Sequence, residues 1–278
     1  MRCQTCRTMN RPEASYCQTC GAPLPVPVSP PAPTPVAQPP PEPPTAIGYA
    51  ASGARLVKPY RAGRVLASVV AGLLCTLIVF DVVNIPIGLA LIMHYSAHGY
   101  DLDALAAPEV VQACTGVLQM LAYVTTGILF LVWVYRASSN LAPLGATSQA
   151  ISPGWAVGWW FIPFLNLVRP FQAVREIWQL SEPPPDALAT APPAARRGAV
   201  WLGWWWAGWL VSNIGGGILA QISTAIESTD GMIALTYAST AADVVEIAAA
   251  ILAICVVRAI DARQTARHAA LFGRPVAP

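Results

Sequence analysis

The sequence predicts an all-α integral membrane protein, in which four transmembrane helices and one re-entrant or interfacial segment follow a small cysteine-rich unit. Charged residues make up only 11% of the 278 residues, against about 25% in soluble globular proteins. The mean hydropathy is +0.51. The apolar residues collect in long runs, and four of these exceed the ~18 residues that nominate a membrane-spanning helix.

The cysteine-rich unit opens the chain with two C-x-x-C pairs, Cys3 with Cys6 and Cys17 with Cys20. Each pair places two thiolates on one tight turn, which is half of a tetrahedral zinc site. The stretch 2–25 resembles a zinc ribbon, with Gly21 after the last cysteine and Arg7 where such families often have glycine. Two disulfides are the alternative, although a reducing cytosolic location disfavours them.

The chain divides into four parts: a zinc ribbon at 1–21, a flexible proline-rich linker at 22–59, a membrane domain at 60–263 and a cytosolic tail at 264–278. The ribbon is too short to bury a core, so Zn²⁺ should supply its folding free energy. Twelve of residues 22–45 are proline, which favours an extended polyproline spacer. We expect the ribbon to contact a cytosolic protein. Nucleic acid is a less favourable partner, because only three arginines and Tyr16 are available to contact phosphates or bases.

The four predicted spans lie at 65–93, 110–135, 199–222 and 232–257. A fifth apolar run, 155–168, contains Pro163 and Asn166 and is too short to cross a ~30 Å hydrocarbon layer comfortably. Pro163 also prevents an unbroken helix, and irregular backbone at membrane depth persists only where protein or water satisfies it. We therefore expect this run to be re-entrant or interfacial and packed against the bundle.

The basic residues orient the predicted spans. None of the sixteen lies in the two predicted outer loops, whose charged residues are acidic: Asp101, Asp103, Glu109, Glu227 and Asp230. By the positive-inside rule both termini are cytosolic. Full crossing by 155–168 would place four arginines outside: Arg169, Arg175, Arg196 and Arg197. One lysine against fifteen arginines is typical of a high-GC bacterial genome, so we expect a multi-pass protein of a bacterial plasma membrane.

The most distinctive motif lies between the second and third spans. It runs W-x-x-R-x-x-x-N from Trp133, SPGW from Ser152, GWWFIP from Gly158 and NL-x-RP from Asn166. This stretch of sequence resembles a bacterial family of multi-span membrane proteins classed only as a domain of unknown function. The domain often follows a zinc ribbon and a proline-rich linker. The likeness covers roughly 60–263. The resemblance implies the architecture and no mechanism.

Two further patterns flank this motif. Phe171, Val174 and Trp178 share one face of a helix predicted to lie in the membrane interface. Five tryptophans then begin the third span and predict an inner aromatic belt, with substrate stacking as the alternative: Trp201, Trp204, Trp205, Trp206 and Trp209. The glycines 215–217 predict a site of close helix packing or of flexibility.

Polar residues within the spans form a possible intramembrane site: Asp81 and Asn84 in the first span, where Pro86 follows them, and Asp243 and Glu246 in the fourth. Ionisable groups at such depth are costly and suggest function by default. Asp243 and Glu246 are three residues apart, so a helix displays them side by side. The alternative is that the span boundaries are shifted, which would bring Asp81 and Asp243 towards the membrane surfaces.

His94 and His98, near Asp101 and Asp103, form either an outer metal site or a solvated loop. The chain contains no G-x-S-x-G, H-E-x-x-H or phosphate-binding glycine loop, so we expect a protein that is not an enzyme. The leading hypothesis is a membrane-anchored scaffold or sensor that recruits a protein through the ribbon. The alternative is a cation- or proton-coupled transporter that uses the intramembrane carboxylates and forms a homo-oligomer.

Overall fold

A computed structural model describes residues 1–25, 59–101, 107–196 and 198–273. Most of the predicted linker lies outside these residues, as do Asp103, Arg197 and the last five residues of the tail. The chain divides into two compact units, 1–54 and 55–278. Each unit is described by itself below.

The small unit is built from two similar turns. One isolated antiparallel bridge joins Arg2 to Met9, and a second joins Tyr16 to Pro23. Cys3, Cys17 and Leu24 form its buried centre. This is a minimal core, as expected for a segment in which a metal ion has to supply most of the folding free energy.

In the described part of the large unit, the regular secondary structure consists of α-helices and two short 3₁₀ turns. Its seven α-helices are α1 (Arg64–His98), α2 (Ala107–Ser139), α3 (Pro153–Gly158), α4 (Arg169–Leu180), α5 (Pro185–Thr190), α6 (Val200–Ser223) and α7 (Thr229–Phe272). Ser228 caps the start of α7 by accepting a hydrogen bond from the Gly231 amide at 3.2 Å. At 44 residues α7 is about 66 Å long. It therefore continues past residue 263, where the sequence suggested that the tail begins.

Three of these helices, α1, α2 and α7, are long and apolar enough to cross a membrane. The fourth predicted span, α6, has 24 residues, and at ~36 Å it is also long enough. Its composition sets it apart, because five tryptophans and five glycines lower its hydropathy. Four spans therefore stay a prediction.

The core of the bundle lies where α1, α2, α4, α6 and α7 meet, around Val70, Val134, Val174, Leu202 and Val257. Small residues allow the longest helices to approach each other. A Cβ atom on Gly88 of α1 would overlap the Thr240 hydroxyl of α7, and one on Gly208 of α6 would lie 3.2 Å from Ala249 Cβ. These glycines give the close packing, whereas Cβ atoms at 215–217 would meet no other atom within 4 Å. Within the described chain that triplet makes no close helix contact, and the alternative role, flexibility, stays a prediction.

The apolar run 155–168 is broken into short pieces, as predicted. It contains most of α3 and two single 3₁₀ turns, Trp159–Phe161 and Leu165–Leu167. Phe164 between the turns has a φ of 62° and is 85% exposed. The Trp206 indole of α6 donates a hydrogen bond of 3.0 Å to the Leu167 carbonyl, so the irregular backbone is held against the bundle.

Helix α4 forms where the sequence places an amphipathic helix. Its buried face, however, comprises Ala173, Val174, Ile177 and Trp178 and joins the protein core. Of the five α6 tryptophans, Trp205 and Trp206 are also buried in this core, while Trp201 and Trp204 are exposed. Several apolar side chains that the sequence alone assigned to the membrane interface, such as Trp178, Trp205 and Trp206, therefore pack inside the bundle.

Candidate metal centre and polar cavity

The four N-terminal cysteines converge on one point. The Cys3 and Cys20 sulfurs are 3.7 Å apart, and the Cys6 and Cys17 sulfurs are 3.5 Å apart. Four sulfurs bound tetrahedrally at ~2.3 Å from zinc would be about 3.8 Å apart. All four sulfurs lie within 4.8 Å of one another, and each thiol is free. The four sulfurs are therefore close enough together to share one metal ion.

Two equivalent turns place these sulfurs. The amide of Arg7 donates to the Cys3 carbonyl at 2.9 Å, and the amide of Gly21 donates to the Cys17 carbonyl at 2.9 Å. Arg7 has a φ of 55° and Gly21 a φ of 70°. Both turns thus need the left-handed conformation, which glycine adopts freely and arginine does not. The place where the first turn departs from zinc ribbons is a strained position.

Hydrogen bonds around Cys17 favour the thiolate. The backbone amides of Thr19 and Cys20 lower the pKa of Cys17 to about 6. The buried side chain of Asn10 donates to the Cys17 sulfur at 3.4 Å and accepts from the Gln18 amide at 3.0 Å. Metal-bound cysteine is a thiolate, so these donors suit a metal ligand. The role of Asn10 was not foreseen from the sequence.

In the large unit the structure brings polar residues of different helices together. Asp81 of α1 is 1% exposed and accepts a hydrogen bond of 2.6 Å from the Gln119 amide of α2. The Gln119 carbonyl accepts from Asn84 at 2.7 Å, and Asn84 in turn accepts from Thr115 at 3.3 Å. Gln119 therefore links the two α1 residues predicted from the sequence. A glutamine inside an apolar run was the signal that could have identified it.

A cavity of about 560 Å³ lies beside Asp81. Residues of α1, α2, α6 and α7 line it, among them Asp81, Gln119, Asn213 and Glu246. Gly216 and Gly217 form part of its wall. A Cβ atom at either position would meet no other atom within 4 Å. Asp243, the neighbour of Glu246 on α7, does not line it. Three of the four residues of the predicted intramembrane site thus share one polar region: Asp81, Asn84 and Glu246.

The family motif has a different role, because its residues bind backbone at one end of the bundle. The Asn140 side chain accepts from the Arg61 amide at 3.1 Å and donates to the Arg61 carbonyl at 2.9 Å. It also donates to Gln264 of α7 at 3.1 Å. Arg136 donates to the Ala62 carbonyl. Residues of the motif therefore fasten the segment before α1 to the end of α2.

Arginines of α7 hold the loops at the same end. Arg263 donates to the Ala195 carbonyl at 2.9 Å and stacks on Trp178, with its guanidinium carbon 4.2 Å from the ring centroid. Arg267 donates to the carbonyls of Leu144 at 2.9 Å and Glu182 at 2.7 Å. These backbone contacts indicate that the polar residues at this end stabilise the fold.

Among the described residues, His94, His98 and Asp101 do not form a group that could hold a metal ion, while Asp103 lies outside the described residues. The rings of His94 and His98 stack with centroids 4.8 Å apart. In the described part of the chain, the four cysteines are the one group of three or more His, Cys, Asp and Glu side chains close enough to share a metal ion.

Comparison with known proteins identifies the family. No curated protein and no solved structure matches the chain significantly. A family profile, described as Domain of unknown function (DUF4328), matches residues 98–262. The matched region begins where α1 ends, so the first helix lies outside it. The matched region is more than half of the 278 residues, and the chain therefore belongs to the DUF4328 family.

Proposed function

We propose that this protein is a non-enzymatic membrane scaffold or sensor, whose N-terminal unit holds a structural zinc ion and recruits a cytosolic protein. The proposal includes cytosolic termini, which the distribution of basic residues supports, and a bacterial plasma membrane, which the excess of arginine over lysine supports. The observation that supports it most is the convergence of the four cysteine sulfurs to within 4.8 Å of one another. Cys3, Cys6, Cys17 and Cys20 would hold the ion, whose binding would supply folding free energy and no reaction.

The surface of the small unit supports a protein as its partner. Met9 is 76% exposed and Tyr16 is 66% exposed. Each lies in one of the two isolated bridges, so both side chains are displayed on the framework that positions the cysteines. Exposed methionine and tyrosine are typical of protein contacts.

The test separates metal binding from recruitment. Full-length protein is purified from crosslinked membranes as the wild type, as Met9→Ser/Tyr16→Ser and as Cys17→Ser/Cys20→Ser. Zinc content is measured by mass spectrometry. We expect about one zinc per chain in the wild type and in the Met9/Tyr16 variant, and loss of zinc in the cysteine variant. The same partner proteins should be lost from both variants.

Two outcomes would contradict the proposal. If the wild type contains no zinc under reducing conditions, the metal assignment is wrong. If all three proteins co-purify with the same partners, the N-terminal unit does not recruit them. An exposed substitution elsewhere in the unit, Glu13→Gln, is the control for nonspecific effects.

A second candidate function is coupled transport of a cation or of protons. It is supported by the cavity that Asp81 and Glu246 line within the apolar helices. Carboxylates are energetically costly in such surroundings, and their presence there therefore suggests a function. Four helices are few for a transport path, so this function would need a homo-oligomer. Reconstituted protein should then show a proton- or cation-dependent flux that is lost in Asp81→Asn/Glu246→Gln. Equal flux in both proteins would exclude it.

A further inference from the structure

The cavity between the helices combines carboxylates with an aromatic and aliphatic wall. Asp81 and Glu246 enter it from different helices, α1 and α7, and Trp205 and Trp209 of α6 form another part of its wall. None of the described residues that line it is basic. The protein itself therefore provides no positive charge inside the cavity to offset the two carboxylates, and a ligand can supply it.

The size of the cavity indicates which kind of cation fits. Pockets of about 300–1,000 Å³ hold drug-sized molecules, and this cavity measures about 560 Å³. A bare metal ion would leave most of this space empty. Within the described residues, neither carboxylate of the cavity belongs to a group of three or more His, Cys, Asp and Glu side chains close enough to share a metal ion.

The walls of the cavity favour an apolar body on the cation. Leu74, Leu77, Trp205 and Trp209 provide apolar contact area, and indole rings attract cations through their faces. The two carboxylates lie on α1 and α7, while the two indole rings lie on α6. Charge and apolar surface are therefore presented to the same ligand from different sides.

The cavity opens between α2 and α6. Met120 of α2 is 63% exposed, and Asn213 of α6 is also exposed. The Tyr123 hydroxyl donates a hydrogen bond of 3.1 Å to the Asn213 side chain, and this pair bridges the opening. Since the neighbouring surfaces of α2 are apolar, with Leu118 55% exposed and Leu121 63% exposed, the opening faces lipid and favours ligands that partition into a bilayer.

We propose that this cavity binds a lipophilic organic cation, such as a tertiary or quaternary ammonium or phosphonium, with its charge beside Asp81 and Glu246 and its apolar groups against Trp205, Trp209 and Leu77. The inference deepens the second candidate function, because it names the class of ligand that such a site would take. Binding at equilibrium does not itself require transport, so the two can be tested separately.

The probe is tetraphenylphosphonium, added to the full-length protein in detergent. Binding is measured by equilibrium dialysis and by the fluorescence of the cavity tryptophans. We expect saturable binding of about one ion per chain, and at least tenfold weaker binding of neutral triphenylphosphine oxide, which corresponds to about 1.4 kcal/mol. Equal binding of the two compounds, or no saturable binding of the cation, would overturn the proposal.

Three variants locate the site. Glu246→Gln removes a carboxylate from the cavity, Gly216→Leu fills part of the space, and Glu227→Gln removes an exposed carboxylate outside it. The first two should each weaken binding of the cation about tenfold or more, and the third should leave it unchanged. Unchanged binding in both cavity variants would show that the ion binds elsewhere, and the proposal would then be wrong.

Folding controls keep these outcomes distinct. Circular dichroism and gel filtration identify variants that have lost their fold, and Glu246→Asp, which keeps the charge, should retain binding if Glu246→Gln loses it. Loss in both Glu246 variants while Gly216→Leu binds normally would overturn the assignment of the charge to this cavity. Binding of the cation without flux in vesicles would support the binding site and exclude transport. Flux of protons without cation binding would support transport and overturn the binding site.

Discussion

The side-chain amide of Gln119 donates a hydrogen bond of 2.6 Å to Asp81, and the same amide group accepts one of 2.7 Å from Asn84. One residue of α2 thus uses both ends of its side chain on two residues of α1. Gln119 and Asp81 both line the polar side of the cavity.

Replacing Gln119 with leucine should destabilise the bundle. The substitution leaves Asp81 buried without this donor, and an unsatisfied buried group costs about 1–3 kcal/mol. Thermal unfolding in detergent measures the effect, with Gln112→Leu on the same helix as the matched control. A variant as stable as the control would mean that water or another group satisfies Asp81.

Replacing Asn140 with alanine should also destabilise the protein, by about 1–3 kcal/mol. Asn140 is 3% exposed, and its loss leaves the Arg61 backbone and Gln264 without their partner. The exposed Gln179→Ala on α4 is the control, and chemical unfolding followed by tryptophan fluorescence is the measurement. If both variants unfold at the same denaturant concentration, the motif residue has no structural role.

Two glycines should respond in opposite ways to alanine. Gly88→Ala should lower the unfolding temperature because its Cβ overlaps the Thr240 hydroxyl, whereas Gly216→Ala meets open space and should raise stability by up to about 1 kcal/mol through helix propensity. Adding Thr240→Ala to Gly88→Ala removes the overlapping hydroxyl and should restore part of the loss. If Thr240→Ala restores none of the lost stability, the destabilisation by Gly88→Ala does not arise from this contact.

The two turns of the small unit provide a matched pair. Arg7→Gly should relieve left-handed strain of about 1 kcal/mol, and Gly21→Ala should introduce a cost of similar size. Because zinc binding and folding are linked, the zinc affinity should rise in the first variant and fall in the second. Competition with a chromogenic chelator measures both. An unchanged affinity in both variants would contradict the strain argument.

The pH dependence of stability should report on Tyr60, which precedes α1 and stacks on His268 with ring centroids 4.4 Å apart. Burial raises the pKa of Tyr60 above its ordinary value. A raised pKa in the folded state means that the stabilising contribution is fully present below the unfolded value of about 10. It is lost as the pH rises through the higher folded value.

Tyr60→Phe keeps the stacked ring and removes the titrating hydroxyl. The wild type should therefore lose more stability than the variant between about pH 9 and pH 11, measured as the free energy of unfolding in detergent. Other tyrosines titrate in both proteins and cancel in the comparison. Parallel curves would show that Tyr60 ionises equally well in the folded state.

Local sequence patterns were sufficient to predict most of the long helices of the fold. Apolar runs at 65–93 and 110–135 predicted α1 and α2, and Pro163 predicted the break in the run 155–168. Spacing alone predicted the cysteine cluster, since each C-x-x-C pair forms a local turn. Hydropathy was less informative for α6, because tryptophan and glycine score poorly while still packing well in a bundle.

Long-range contacts could not be predicted in this way. Asn140 and Gln264 meet although 124 residues separate them, and nothing in the local pattern around either residue indicates the other. The cavity has the same origin, because it requires Asp81, Gln119 and Glu246 on three helices to face one space. The carboxylates were identified from their cost in an apolar environment, whereas the volume beside them follows only from tertiary packing.

The length of α7 has a mechanical consequence. One unbroken helix carries both Glu246, at the cavity, and Arg263, which holds the loops at the far end of the bundle. These residues are about 26 Å apart along the axis. Because a continuous helix moves as a stiff rod, tilting at one end displaces the other in proportion to its distance from the pivot. A rigid tilt of α7 would therefore displace Glu246 and Arg263 together.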